Sequence, residues 1–266
     1  ISGMSKNAFE SYLFKDGKPM ALTSLNKSDE APFQYGHLSL KAILAVRDKR
    51  LAQTIDTVLL YNGRGFTRFN TGMESTSSTG YGVAKYDNEA IPEGFRSQSG
   101  KNYTHAPLFW LSVIYLNYAE ACAELGNITQ DDLDKSINLL KDRAGLPHLN
   151  PIVGFSDPAN NHGVSDLIWE IRRERRCELM FDNDNRYWDL IRWHQLDKLD
   201  TTKYPDIILG ANVANDMDGC EANKVGKYID GSKDGSRIYD KKHYLYPIPT
   251  GQIALNPQLA PNNPGW

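Results

Sequence analysis

Residues 168–193 read I-W-E-I-R-R-E-R-R-C-E-L-M-F-D-N-D-N-R-Y-W-D-L-I-R-W, placing charge and aromatic rings where an ordinary core helix carries leucines. Val164, Leu167, Ile168, Ile171 and Leu179 recur at roughly helical spacing. Asp182, Asn183, Asp184 and Asn185 then form a polar breaker before a second helical stretch with Tyr187, Trp188, Leu190, Ile191 and Trp193. Glu170, Glu174 and Glu178 follow one another at intervals of four, so their Cβ atoms stack on one helix face about 6 Å apart and repel unless cations sit among them. Arg172, Arg173, Arg175, Arg176, Arg186 and Arg192 can supply those cations.

A carboxylate row invites two catalytic readings. A dimetal site needs a Glu-x-x-His pair on a helix, and His194 follows none of these glutamates by three. A glycosidase pair needs two carboxylates across a cleft in environments that push their pKa values apart, whereas so many arginines are expected to hold all three glutamates ionised. The favoured reading is an Arg/Glu lattice that ties one helix to its neighbours through bidentate hydrogen bonds, with Glu170, Glu174, Arg175, Glu178, Arg186, Asp189 and Arg192 as its members.

The same stretch resembles the E-R-x-x-E-L-x-F-E-G-x-R-x-x-D-L-x-R-W signature of the SusD/RagB family through Glu174, Arg175, Glu178, Leu179, Phe181, Arg186, Asp189, Leu190, Arg192 and Trp193. Residues 182–185 depart from it, where the family usually has Glu and then Gly or Asn. Arg47-Asp48-Lys49-Arg50-Leu51 resembles the family's R-D-x-R-L run, and Leu116-Asn117-Tyr118-Ala119-Glu120-Ala121 its L-x-Y-A-E-A helix. Tyr246-Pro247-Ile248-Pro249 with Asn263-Pro264-Gly265-Trp266 resembles its closing P-I-P and N-P-G-aromatic signature. Gln252 and Trp266 stand where the family commonly has Glu and Tyr.

The resemblance implies a mainly α, SusD-like fold over residues 1–266, built of tetratricopeptide-like helix pairs, long irregular loops and a few short strands. It also implies a lipid-anchored outer-membrane surface protein that presents oligosaccharides to a SusC-like TonB-dependent transporter. Members are generally about twice as long. The chain begins at Ile1 without a charged leader, an apolar run or a lipobox cysteine, and is expected to be a C-terminal half that packs against a missing N-terminal half.

Composition fits an extracytoplasmic globular protein. A net charge of -3 with 24% charged residues gives no basic footprint for nucleic acid. The longest apolar stretch, residues 106–116, is interrupted by Ser112 and falls short of the roughly 20 residues of a membrane helix. Cys122, Cys177 and Cys220 are odd in number and lack metal spacing; Cys122, among alanines, reads as a buried small hydrophobe.

Along the chain, residues 1–35 read as loop with a turn at Asp16-Gly17, and residues 38–60 as a helix or strand pair. Pro107 is placed for the first turn of a buried helix that runs to Leu125 and closes on Gly126. Thr129 and Asp132 form a capping-box pattern, with Leu133, Ile137, Leu140 and Ala144 continuing the helix to Gly145. Together these two helices resemble a tetratricopeptide unit, which cannot bury its own faces. Short strands are expected around Tyr228 and Tyr239. Asp216-Met217-Asp218-Gly219 resembles part of a calcium loop, but the twelfth position holds Lys227 instead of Glu. It reads as a plain turn, and no metal or cofactor is expected.

Sugar capture needs flat apolar faces for pyranose rings and planar polar groups for hydroxyls. The glycine-rich stretch 61–103 offers both in Tyr61, Arg64, Phe66, Arg68, Phe69, Asn70, Tyr81, Tyr86 and Phe95, and loops on a rigid scaffold are where binding residues collect. Nucleophile and phosphate-loop motifs are missing, and His105, His148, His162, His194 and His243 are scattered. The expectation is therefore a non-catalytic glycan-binding protein. Its rivals are a RagB-type peptide receptor, a glycoside hydrolase using Glu170, Glu174 or Glu178, and a purely structural partner of the barrel.

Overall fold

The computed structural model of the chain describes residues 3–25, 40–56, 66–67, 74–75, 77–88, 90–96, 98–105, 107–182, 185–212, 224–225, 228–231 and 235–266. Helices dominate. In chain order they are α1 (Lys6–Glu10), α2 (Leu40–Leu44), α3 (Lys49–Thr54), α4 (Glu93–Arg96), α5 (Leu111–Glu124), α6 (Gln130–Asp134), α7 (Ile137–Ala144), α8 (Asp166–Glu178), α9 (Asn185–Arg192) and α10 (Thr250–Leu255). The strands are short: β1 (Phe66–Thr67) pairs with β2 (Glu74–Ser75), while β3 (Leu209–Asn212), β5 (Tyr228–Asp230) and β4 (Lys224–Val225) form an antiparallel sheet in that order. No described helix is long and apolar enough to cross a membrane.

Helix α8 is the axis of the molecule. Ser165 caps it by accepting from the Ile168 N–H, which satisfies one of the free donors of its first turn. Ile171 and Leu179 face a core shared with Leu116 and Ala119 of α5, Leu133 of α6, and Ile137 and Leu140 of α7. Cys177 and Met180 face the other way, into a core with Phe9, Tyr12, Leu40, Ile43, Leu51, Tyr81, Ala211 and Ile229. Burial pushes the Cys177 thiol up to about 12, so it packs as a hydrophobe.

The helical hairpin forms as its caps dictate. Thr129 and Asp132 make the capping box at α6, and Gly145 closes α7 in the left-handed region at φ +70°. The expected single helix is broken at Ser136, whose hydroxyl back-bonds to the Asp132 carbonyl four residues earlier and competes with the helix ladder. Helix α5 also differs from expectation. It begins at Leu111, not Pro107, after an extended Trp110, because Leu108 and Phe109 stand exposed and no packing holds them in a helical turn. One face of α5, with Leu116 and Ala119, is buried, whereas Leu111, Ile114 and Tyr118 are exposed. Cys122 is half-buried.

Two further expectations, the loop at the N-terminal end and the strand at Tyr239, are corrected, and the choice between helix and strand pair after residue 38 falls to helix. Residues 6–10 form α1, capped by Ser5, where the sequence reads as loop. Residues 40–54 form two short helices that meet at the buried Arg47. Its guanidinium donates to the carbonyls of Phe9 and Tyr12 at 3.1 and 2.6 Å. Tyr239 lies outside any strand and sets its ring edge-on to Tyr244. The β3 edge is seated by the Ala211 N–H, which donates to the Thr79 carbonyl at 2.9 Å. A Cβ at Gly210 would come within 2.2 Å of that same oxygen, so only glycine fits there. At the C terminus the two closing motifs meet: Asn262 exchanges hydrogen bonds with the Ile248 backbone at 2.7 and 3.1 Å.

Candidate functional site

The glutamate row on α8 is an ion lattice. Arg50 of α3 donates to Glu174, to Glu178 at 2.9 Å and to Asp48 at 2.7 Å. Lys141 lies 3.6 Å from Glu174, and Arg143 also grips Glu178. Glu170 pairs with Arg173 at 3.0 Å, and Arg173 reaches on to Asp157. Arg175 holds Asp189 of α9 and the Asn117 amide oxygen, while Arg192 bridges Asp189 and Glu120. The Trp193 indole N–H joins Glu120 at 2.6 Å. Glu170 and Glu174 are buried and Glu178 is half-buried, each against an arginine, so the row does not open on a solvent cleft.

The cations do not act uniformly along the row. Burial raises the Glu170 carboxyl above its ordinary value, more than Arg173 lowers it. Burial also opposes ionisation of Glu174, but there Arg50 and Lys141 outweigh it and hold the carboxyl low. Two glutamates one turn apart thus differ because Glu174 has two cations from other helices.

Of the residues expected to contact a sugar, Tyr61, Arg64, Arg68, Phe69 and Asn70 lie outside the described residues. Only the backbone of Phe66 is described, in β1. Tyr81 is 3% exposed and stacks on Phe9 at 4.5 Å between centroids. It is a core anchor, because its ring is enclosed by the packing around Phe9. Tyr86 and Phe95 are different, at 49% and 47% exposed. Phe95 sets its ring edge-on to Tyr103, itself 60% exposed, at 6.0 Å. Sequence reading passed over Tyr103 although it closes the same stretch.

This aromatic segment is braced. Tyr86 takes a positive φ of 84° and donates its hydroxyl to Asp182 in the turn between α8 and α9. Lys85 donates to Asp182 and to the Met180 carbonyl, both at 2.8 Å. Arg96 returns to Asp87 at 2.9 Å, which holds α4 and Phe95 beside the Tyr86 turn. Further exposed rings, Trp188 on α9 and Tyr246 beside Tyr187, lie outside the expected stretch. The calcium-like Asp216–Asp218 turn is outside the described residues, among which no cluster of three or more His, Cys, Asp or Glu side chains could hold a metal.

Arg186 departs from its expected place in the lattice. Among the described residues no carboxylate pairs with it, and its guanidinium lies 5.9 Å from the Trp193 ring. It faces a cavity of about 500 Å³ that α1, α8, α9 and the loops at 157–161 and 198–207 enclose, with Arg176 and Lys198 also on the wall.

Comparison with known proteins places this architecture. The model of the SusD family matches residues 2–266. A SusD-like protein (BF3747) from Bacteroides fragilis NCTC 9343 superposes with a TM-score of 0.55 at 22% identity, over 99% of this chain and 47% of its own. The selenomethionine form of BT4246 superposes with a TM-score of 0.63 at 24% identity, over 98% of this chain and 46% of its own. The chain therefore spans about half the length of these solved structures. No curated protein matches it.

Proposed function

This chain belongs to the SusD family, and from that premise we propose that it serves nutrient uptake by binding glycans without cleaving them. In this reading it acts at the bacterial outer-membrane surface as part of a lipid-anchored receptor and hands oligosaccharides to a SusC-like TonB-dependent transporter. The observation that carries the reading is the braced segment with Tyr86, Phe95 and Tyr103 turned to solvent. Single exposed rings are ordinary on a protein surface. Three within one short segment, tied to the α8–α9 turn by Lys85 and Tyr86, make a preorganised apolar face for a sugar ring's C–H groups. The burial of Glu170 and Glu174 against arginines speaks against a hydrolytic use of that row.

Affinity electrophoresis of the chain against a polysaccharide panel, with released reducing ends assayed on the same samples, tests the reading. Retardation by a glycan without release, lost in the double variant Phe95→Ala, Tyr103→Ala, is the expected result. Release of reducing ends, or retardation that the double variant retains, would overturn it.

A further inference from the structure

We propose that the cavity walled by Arg176, Arg186 and Lys198 is a binding site for a small ligand bearing an oxyanion, either a carboxylate, a sulfate or a phosphate, distinct from the aromatic segment.

The argument rests on which charges around the cavity are already matched. Arg173 on its wall is satisfied by Glu170 and Asp157. Of the acids on the same wall, Asp157 is held by Arg173 and the Trp169 indole, Glu10 by Lys6 at 2.6 Å, and Asp206 by the Asn7 amide. Asp206 does lend Arg176 some field, yet the only hydrogen bond from the Arg176 side chain among the described residues goes to the neutral Asn7 oxygen at 2.7 Å. Arg186 and Lys198 have no carboxylate within bonding reach among those residues. The Lys198 ammonium lies 4.6 Å over the Trp169 ring instead. Nearby, Asp197 is engaged by His162 at 3.3 Å.

Among the described residues, then, three cations on α8, α9 and the segment that follows face one concave space with little to neutralise them, and Arg237 lies on the same wall. Burial, then Arg186 and Arg176, pull the Lys198 ammonium down to about 7. Burial and Arg176 pull Arg186 down as well. Groups that depress one another in this way cost the empty fold stability, and an arriving oxyanion removes that cost. Two guanidiniums offer planar forks that match such a group in bidentate geometry. A cavity of about 500 Å³ lies in the size range of small-ligand sites. The chain as a whole carries -3, so the positive potential is local to this concavity, where low-dielectric walls concentrate it.

Thermal unfolding of the 266-residue chain in sulfate, phosphate or D-galacturonate, each against chloride at equal ionic strength, provides the first test. At least one oxyanion should raise the wild-type midpoint, and Arg186→Gln and Lys198→Gln should abolish the excess. A galacturonate-only response points to a saccharide carboxylate, and a sulfate or phosphate response to a free or esterified inorganic group. An equal rise in both variants would be a general salt effect and would overturn the proposal, as would no rise. Titration of the Lys198 ¹³Cε resonance in the wild-type chain tests it without a variant. A midpoint near 7 that moves upward by at least about one unit with the anion is expected. A midpoint already near the ordinary lysine value, before any anion is added, would mean that a protein carboxylate fills the cavity, and would also overturn the proposal.

Discussion

Arg175 on α8 donates from Nε to both carboxylate oxygens of Asp189 on α9, at 2.9 and 2.7 Å. Both side chains are buried, and the clamp ties α9 to α8, so it sets how the second helix packs against the first. Removing one member of a buried ion pair strands the other, at a cost of about 3–5 kcal/mol. Asp189→Ala should lose that much in urea unfolding. The double variant Arg175→Met, Asp189→Leu should lose distinctly less, because it strands no charge. Equal losses would mean that the clamp acts through packing alone.

Glu170 and Glu174 should respond to pH in opposite directions. The Glu174 carboxyl is lower folded than unfolded, so its contribution is present above the unfolded value and disappears as pH falls through the folded one. Glu170 is raised on folding, so its contribution is present at acid pH and lost as pH rises through its folded value. Glu174→Gln should therefore destabilise at neutral pH and converge on wild type in acid. Glu170→Gln should exceed wild-type stability at neutral pH, where the wild-type carboxylate is penalised by burial, and should likewise converge on wild type in acid. Unfolding midpoints of both variants from acid to neutral pH check that the two differences from wild type have opposite signs.

The α8–α9 break was legible because its signals are local: apolar residues at helical spacing, then four Asp and Asn residues in a row. The same holds for the capping box at Thr129 and the closing Gly145. What stayed hidden depends on partners far along the chain. Arg50 meets Glu174 across 124 residues, and nothing in the local pattern says which arginine takes which acid. For the same reason Arg186 reads as a lattice member although it faces a cavity. Tyr81 and Phe95 look alike in a glycine-rich stretch, and only the position of Phe9 buries the first and leaves the second in solvent. Helix α1 escaped because five residues with two buried apolar side chains, Ala8 and Phe9, show no readable period.

That division of the aromatics is itself testable. Phe9 is 1% exposed under Tyr81, so Phe9→Ala removes a stacked core ring and should cost about 3–5 kcal/mol. Phe95→Ala at the surface should stay within about 0.5 kcal/mol of wild type while weakening glycan retardation. Urea midpoints for the two variants, measured together, separate anchor from contact. Similar losses in both would place Phe95 among the anchors.

Lys198 offers a stability readout that needs no ligand. Its ammonium titrates near 7 in the folded chain against an ordinary value of 10.5. Between those values the unfolded chain binds more protons than the folded one, so this group makes stability rise with pH across the window. Below it the folded state must hold the charge half-buried beside Arg176 and Arg186, and the penalty is complete. Lys198→Met keeps the stem's apolar packing and removes the charge, so the variant should exceed wild type most below about pH 7 and lose the advantage as pH approaches 10.5. An advantage independent of pH would assign the effect to packing. A variant less stable than wild type in acid would show that the charge is already neutralised in the folded chain.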